Sequence, residues 1–145
     1  MRKVFFSFKY EDVSRAMVVR NSWVTQGKEA AGFIDKAEFE SIEKQGDKAI
    51  QNWIDKQIDG TSVTVVLVGE KTLSSRWVKY EINKSIEREN GLLFIDISKI
   101  KDLQGNTSER GGTIPSDYPL YLWIKDDGYN NMGDWIEKAA KLAGK

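Results

Sequence analysis

The chain contains no cysteine and no histidine, and those two absences remove most familiar catalytic centres. Without thiols there is no disulfide, no thiolate nucleophile and no zinc–thiolate site. Without imidazole, neither a Ser-His-Asp nor a Cys-His arrangement can be built. Acid–base chemistry then falls to carboxylates, lysine, tyrosine or the substrate itself. An excess of one charge is also missing, because 22 Lys and Arg balance 22 Asp and Glu. No basic surplus recruits nucleic acid or an anionic membrane. No apolar run approaches the roughly 20 residues of a membrane-spanning helix. The opening MRKVFFSFKYED has too short an apolar run for a secretion signal and reaches charge at once. Internal repeats and low-complexity tracts are absent. The expectation is a cytoplasmic protein with no nucleic-acid, membrane or metal partner and no cofactor.

What is present is ordinary for a globular protein: 145 residues, 40% apolar and 30% charged, read as a single domain over 1–145. Lys3 to Phe8 (KVFFSF) is a short, nearly continuous apolar run, as in a strand buried on both faces. Asp12 to Val24 has helical apolar spacing, with Asp12 placed to cap it. Gly32 to Asp35 (GFID) reads as a weak second strand, and the charged stretch Lys36 to Gly46 as a loop. Asp47 to Ile58 sets Ile50, Trp53, Ile54 and Ile58 on one helix face, and Gly60 closes it.

Ser62 to Val68 (SVTVVLV) is the clearest strand, dense in β-branched residues. The turn Gly69 to Ser75 leads into a helix that ends near Asn90-Gly91, and Leu92 to Ile97 (LLFIDI) forms another buried strand. From Ser98 to Pro119 the pattern lapses into a loop holding both prolines. Leu120 to Ile124 is a last short strand, and Asp134 to Ala143 a terminal helix with Asp134 as cap and Gly144 as stop. Strands alternating with helices imply an α/β fold: a doubly wound, flavodoxin-like sheet, mainly parallel, of about five strands with helices on both faces. The final crossover lacks a regular helix.

One residue raises a question of placement. In SSRWVKYEINKS the apolar residues Trp77, Val78, Ile82 and Ile86 form one helical stripe, and Glu81 sits at its edge. Ligands in such folds bind at the carboxyl ends of the strands where the strand order reverses, here between the first and third strands. The loops leaving those strands are Phe8 to Asp12 and Gly69 to Ser75. Glu81 follows the second of them and points back toward the strand ends. A carboxylate against apolar neighbours has its charged form disfavoured, which is a functional-site signature. From the helix alone the bland reading is preferred: a half-exposed Glu81 paired with Lys84 or Arg88 on the same helix. Other occupants of the crevice fit poorly. FKYED lacks the hydroxyls and glycines that would cradle FMN phosphate, VLVGE lacks a phospho-accepting aspartate, and the dinucleotide fingerprint and P-loop are absent.

Several segments together resemble the TIR (Toll/interleukin-1 receptor) family. FFSFKYEDVSR (Phe5 to Arg15) is similar to the family's first box, roughly FLSFRGEDTR. GFID, a charged loop, Gly46, AIQNWID and TSVTVVLVGEKTLSSRWVKYEI follow in family order. Ser75, Trp77 and Glu81 match its S-x-W-x-x-x-E signature. The resemblance covers Lys3 to Ile97 and is closest to the TIR-like proteins of Thoeris antiphage defence. Tyr10 departs from the plant motif's glycine, and the loop lacks the Arg-Asp-Pro-Gly of receptor TIRs.

The resemblance implies an enzyme that cleaves the nicotinamide N-glycosidic bond of NAD and hydrolyses or cyclises the ADP-ribosyl part. NAD is then substrate rather than cofactor. The family's catalytic glutamate falls on Glu81. Its nucleotide-lining loop falls on Ser7, Phe8, Lys9 and Asp12, and Ser74, Ser75 and Trp77 open the Glu81 helix. Bland roles stand beside these: Phe8 as core, Asp12, Ser74 and Ser75 as helix caps, Trp77 as packing. The family further implies self-association in the active state and a separate effector switched on by the nucleotide product. A non-catalytic TIR adaptor is the competing reading, as is an NAD hydrolase that does not cyclise.

Overall fold

The computed structural model describes residues 3–27, 30–31 and 36–145. A sheet of five parallel strands carries the fold, in the order β2-β1-β3-β4-β5. That is the flavodoxin-like order expected from the alternation of elements. The strands are β1 (Val4–Ser7), β2 (Ala30–Ala31), β3 (Val63–Val68), β4 (Gly91–Asp96) and β5 (Leu120–Leu122). β1, β3 and β4 are buried at every position, which is why their sequences run apolar rather than alternating. The helices are α1 (Val13–Val24), α2 (Lys36–Lys44), α3 (Asp47–Ile58), α4 (Arg76–Glu87) and α5 (Gly128–Leu142).

Each sheet face has its own core. On one face α1 and α5 pack Ala16, Val19, Trp23, Met132 and Ile136 against Val4, Phe6, Val65 and Leu93. On the other, α3 sets Ile50, Ile54 and Ile58 over Phe5, and α4 sets Val78 over Val66, Val68 and Phe94. Alternate strand residues therefore serve opposite helical layers. Among the described residues no helix is long and apolar enough to cross a membrane.

Three expectations from sequence change, and a fourth falls outside the described residues. The GFID strand at residues 32–35 lies outside the described residues, and the observed β2 is Ala30–Ala31. The stretch expected as a loop at Lys36 to Gly46 is instead the helix Lys36–Lys44. Its KAEFESIEK is rich in strong helix formers, and Ile42 packs on the α3 cluster. Gly46, at φ 95°, then turns the chain into α3.

Asp12 does not cap α1. A tight 3-10 turn at Tyr10–Asp12 runs straight into the helix, so Asp12 lacks the extended backbone of a cap and its carboxylate makes no capping bond. Asp134 likewise lies inside α5, which begins at Gly128. The polar run YNNMG is carried into helix because Met132 is buried, while Asn130 Nδ2 bonds Asp127 Oδ2 at 2.8 Å. The crossover from β4 to β5 has no helix, as expected.

Candidate active site

β1 and β3 are parallel neighbours, so the loop after β1 and the loop that leads into α4 leave the same end of the sheet side by side, and α3 and α4 roof the sheet beside them. The resulting cavity, of about 250 Å³, is walled by Phe8, Lys9 and Tyr10 after β1, by Ile50 and Trp53 of α3, and by Ser75, Trp77 and Glu81 of α4. Its lining is mostly aromatic and aliphatic, with few polar groups. Such composition suits a flat ring and repels water.

Glu81 is the polar group that does not belong to such a wall. It is 7% exposed, and Ser7 Oγ donates a 2.6 Å hydrogen bond to its Oε1. Burial pushes its pKa up to about 8, with the Ser7 hydrogen bond acting in the opposite direction. The bland partners are engaged elsewhere. Lys84 lies 3.9 Å from both Asp55 and Glu87, and Arg88 lies 3.3 Å from Asp59. Glu81 therefore faces the cavity from an apolar setting, with a single hydroxyl, among the described residues, on its carboxylate.

The other sequence candidates divide. Phe8, Lys9, Ser75 and Trp77 line the cavity. Ser75 also caps α4, its Oγ accepting from Val78 N at 3.4 Å, so its cap role is real. Trp77 is fixed from two sides: Arg76 lies over its ring at 4.5 Å, and Tyr80 meets it edge-on at 5.9 Å. Ser7 does not line the cavity; it is fully buried behind Glu81. Ser74 is exposed and bonds back to Lys71 O at 2.8 Å, outside the cavity.

Asp12 is also outside it. Its carboxylate is 3.5 Å from Arg15, and among the described residues its Oδ2 has no hydrogen-bond partner. It presses so closely on Gly69 that a Cβ there would come within 2.4 Å of Oδ2. Burial raises the Asp12 pKa, Glu11 adding to the effect and Arg15, Thr72 and Lys9 opposing it.

Sequence reasoning missed Tyr10, Glu11 and the α3 wall of Ile50, Trp53 and Ile54. Trp53 was visible only as one more apolar residue in a helical stripe. Tyr10 and Glu11 had no signal beyond their place in the loop. Among the described residues no group of three or more acidic side chains is gathered to hold a metal ion.

A 2-1-3-4-5 parallel sheet with a buried glutamate on the helix after β3, facing β1, defines a TIR-like α/β domain. Comparison with known proteins narrows the class. The sequence model of the Thoeris protein ThsB, TIR-like domain, matches residues 5–102. The chain is also 42% identical over 137 residues to ThsB1 of Bacillus cereus strain MSX-D12, named as a candidate cyclic ADP-D-ribose synthase. That match covers 92% of this chain and 71% of the relative. The chain belongs to the ThsB family of TIR-like Thoeris proteins.

Proposed function

We propose that this protein cleaves the nicotinamide–ribose bond of NAD and closes the ADP-ribosyl part into a cyclic signal in bacterial antiphage defence, with Glu81 as the catalytic residue. The observation that carries the reading is the Glu81 carboxylate, buried in an aromatic-lined cavity at the switch point of the sheet and hydrogen-bonded to Ser7. The name of the Bacillus relative supports the same chemistry.

The reaction suits a site without histidine. In NAD the nicotinamide nitrogen is cationic, so breaking the C1′–N bond returns the electron pair to the ring and releases a neutral leaving group. No general acid is required. The ribose is left oxocarbenium-like, and the Glu81 carboxylate stabilises that charge or holds the ribose hydroxyls. A nucleophile of the same molecule then bonds to C1′, and where that atom is a hydroxyl its proton passes to Glu81. Apolar walls disfavour water as the competing nucleophile, which supports cyclisation over hydrolysis.

At about 250 Å³ the cavity falls just below the usual size of ligand sites, which run from about 300 Å³ upward. It has room for the nicotinamide riboside end. The diphosphate then crosses the rim at Lys9, whose ammonium meets it. The protein would work in the cytoplasm, self-associate when active and pass its product to a separate effector.

The test is nicotinamide release from NAD by purified protein at high concentration, beside Glu81→Gln, with products resolved by mass. Release lost in the variant, with a product at the mass of cyclised ADP-ribose, is the expected result. Release that survives Glu81→Gln removes Glu81 from the mechanism. Absence of release, in buffer and in lysate of phage-infected cells alike, would instead favour an adaptor.

A further inference from the structure

Two hydroxyl side chains lie where packing calls for none. Thr64 in β3 and Ser85 in the third turn of α4 are both completely buried. They sit between a sheet face and a helix otherwise joined by Val66, Val68, Val78 and Phe94. Valine would fill the threonine's volume without a polar atom, and a mid-helix serine competes with the helix backbone for hydrogen bonds. Neither residue is the better choice for the fold alone.

Both hydroxyls are directed at one target. Ser85 Oγ donates to the main-chain carbonyl of Glu81 at 2.7 Å, which uses its only proton. In its 2.7 Å contact with Thr64 Oγ1, Ser85 must therefore accept, and Thr64 is the donor. A relay runs from β3 through Ser85 to the backbone of Glu81. From the other end, Ser7 of β1 holds the Glu81 carboxylate at 2.6 Å. β1 and β3 are neighbours, with Phe5 opposite Thr64 and Ser7 opposite Val66. Strand alternation puts Ser7 and Thr64 on the same sheet face. One residue of α4 is thus tied to two adjacent strands, by its main chain to one and by its side chain to the other.

We propose that Thr64 and Ser85 are positioning residues that fix the height and rotation of α4 on the sheet, so that the Glu81 carboxylate meets Ser7 and faces the cavity. The proposal rests on the reading of Glu81 as the catalytic residue. It goes beyond that reading by assigning work to two residues that touch neither the cavity nor the substrate. Small displacements of a reacting group cost much rate: about 1 Å is worth on the order of a hundredfold.

The experiment compares the full chain with Thr64→Val, Ser85→Ala and the conservative Thr64→Ser. It follows thermal unfolding, the carbon-13 carboxyl signal of Glu81 across pH, and kcat and KM for nicotinamide release. Thr64→Val and Ser85→Ala are expected to fold cooperatively and to keep KM within about twofold, while kcat falls about tenfold. The Glu81 titration moves upward as its bond from Ser7 loosens. Thr64→Ser restores both. Should Thr64→Val not fold, Ser85→Ala carries the test alone, because it removes the same relay from the helix side. An unchanged Glu81 titration in the folded variants overturns the proposal and leaves Thr64 and Ser85 as packing. If the wild-type chain releases no nicotinamide in buffer or in lysate of phage-infected cells, the enzymatic reading falls, but the carboxyl titration still decides whether these hydroxyls place Glu81.

Discussion

Ser7 Oγ lies 2.6 Å from Glu81 Oε1, a contact between residues 74 positions apart in sequence. It ties the first strand to the helix after the third. Energetically, the two influences on Glu81 oppose one another: burial favours the protonated acid, and the Ser7 hydrogen bond favours the carboxylate. Ser7→Ala removes only the second. The Glu81 pKa then rises above about 8, and less carboxylate is present at pH 7. The kcat/KM for nicotinamide release at pH 7 should fall roughly three- to tenfold, and the midpoint of its pH profile should move to higher pH. A profile recorded from pH 6 to 10 reads both, and an unmoved midpoint would separate Ser7 from the ionisation of Glu81.

Glu81 itself gives the wild-type profile its sign. In the proposed mechanism the carboxylate is the working form, so kcat/KM should rise with pH through about 8 and level off above it. Glu81→Gln should lose at least about a hundredfold at every pH. Stability runs the opposite way. Below the ordinary glutamate value of 4.5 the group is protonated folded or unfolded and costs nothing. Between 4.5 and about 8 the unfolded chain ionises while the folded chain keeps its proton, so stability falls by up to about 1.4 kcal/mol per pH unit. Above about 8 the loss is complete. Glu81→Gln, which keeps the bond from Ser7, should match wild type in urea at pH 4.5 and exceed it by ~2–4 kcal/mol at pH 9. Parallel curves for the two proteins across that range would show that the carboxylate is not buried at a cost.

Much of this site was legible before the fold. The strands β1, β3 and β4 announce themselves because residues buried on both faces must be apolar throughout. Glu81 stood out because a helix stripe against a sheet has no use for a charge. The hydroxyls were less legible. Ser7 read as a pocket residue, since a pattern along one strand cannot reveal a partner on a distant helix. Thr64 in a β-branched run is indistinguishable from valine by period or propensity. Helix α2 was misread because dense charge resembles a loop, although Ala, Glu and Lys are good helix formers. Asp12 was misread because its side chain suits a cap and only the observed backbone excludes one. The α3 wall of the cavity was hidden in plain amphipathicity: Trp53 lies in the same stripe as Ile50 and Ile54, and sequence gives no sign that it faces a cavity.

Trp77 belongs both to the packing between α3 and α4 and to the cavity wall. Its ring lines the cavity, packs beside the α3 cluster and is met edge-on by Tyr80. Trp77→Ala should cost ~2–3 kcal/mol of stability and, on the proposed placement of the nicotinamide end against this wall, raise KM for NAD about tenfold. Arg76→Ala provides the contrast. It removes the guanidinium above the ring and an ion pair with Asp47 in which both side chains are more than 60% exposed. That pair is worth under about 1 kcal/mol, so the unfolding midpoint should barely move. Equal losses from the two substitutions would mean that the cation over the ring, rather than the indole's burial, holds this wall in place.

Arg15 makes the most heavily engaged contact between the loops at the carboxyl end of the sheet. Buried to 8% exposure, it donates from Nε to Ile100 O at 2.7 Å and from Nη2 to Asn106 O at 2.9 Å. It also lies 3.5 Å from Asp12 and 3.8 Å from Asp102. The turn that precedes α1 and the loop that follows β4 are therefore held by one guanidinium. Asp102 closes its own loop by accepting from Gln104 N and Asn106 N at 2.9 Å each. Arg15→Lys keeps the charge but cannot reproduce a planar fork that reaches two carbonyls and two carboxylates. It should cost ~2 kcal/mol, with faster amide exchange at Gln104 and Asn106. The turn carrying Tyr10 and Glu11 ends at Asp12, so loosening that anchor should also raise KM while leaving the Glu81 titration in place. Hydrogen exchange by mass spectrometry beside steady-state kinetics reads both effects. Faster exchange with unchanged KM would confine Arg15 to holding the distal loop.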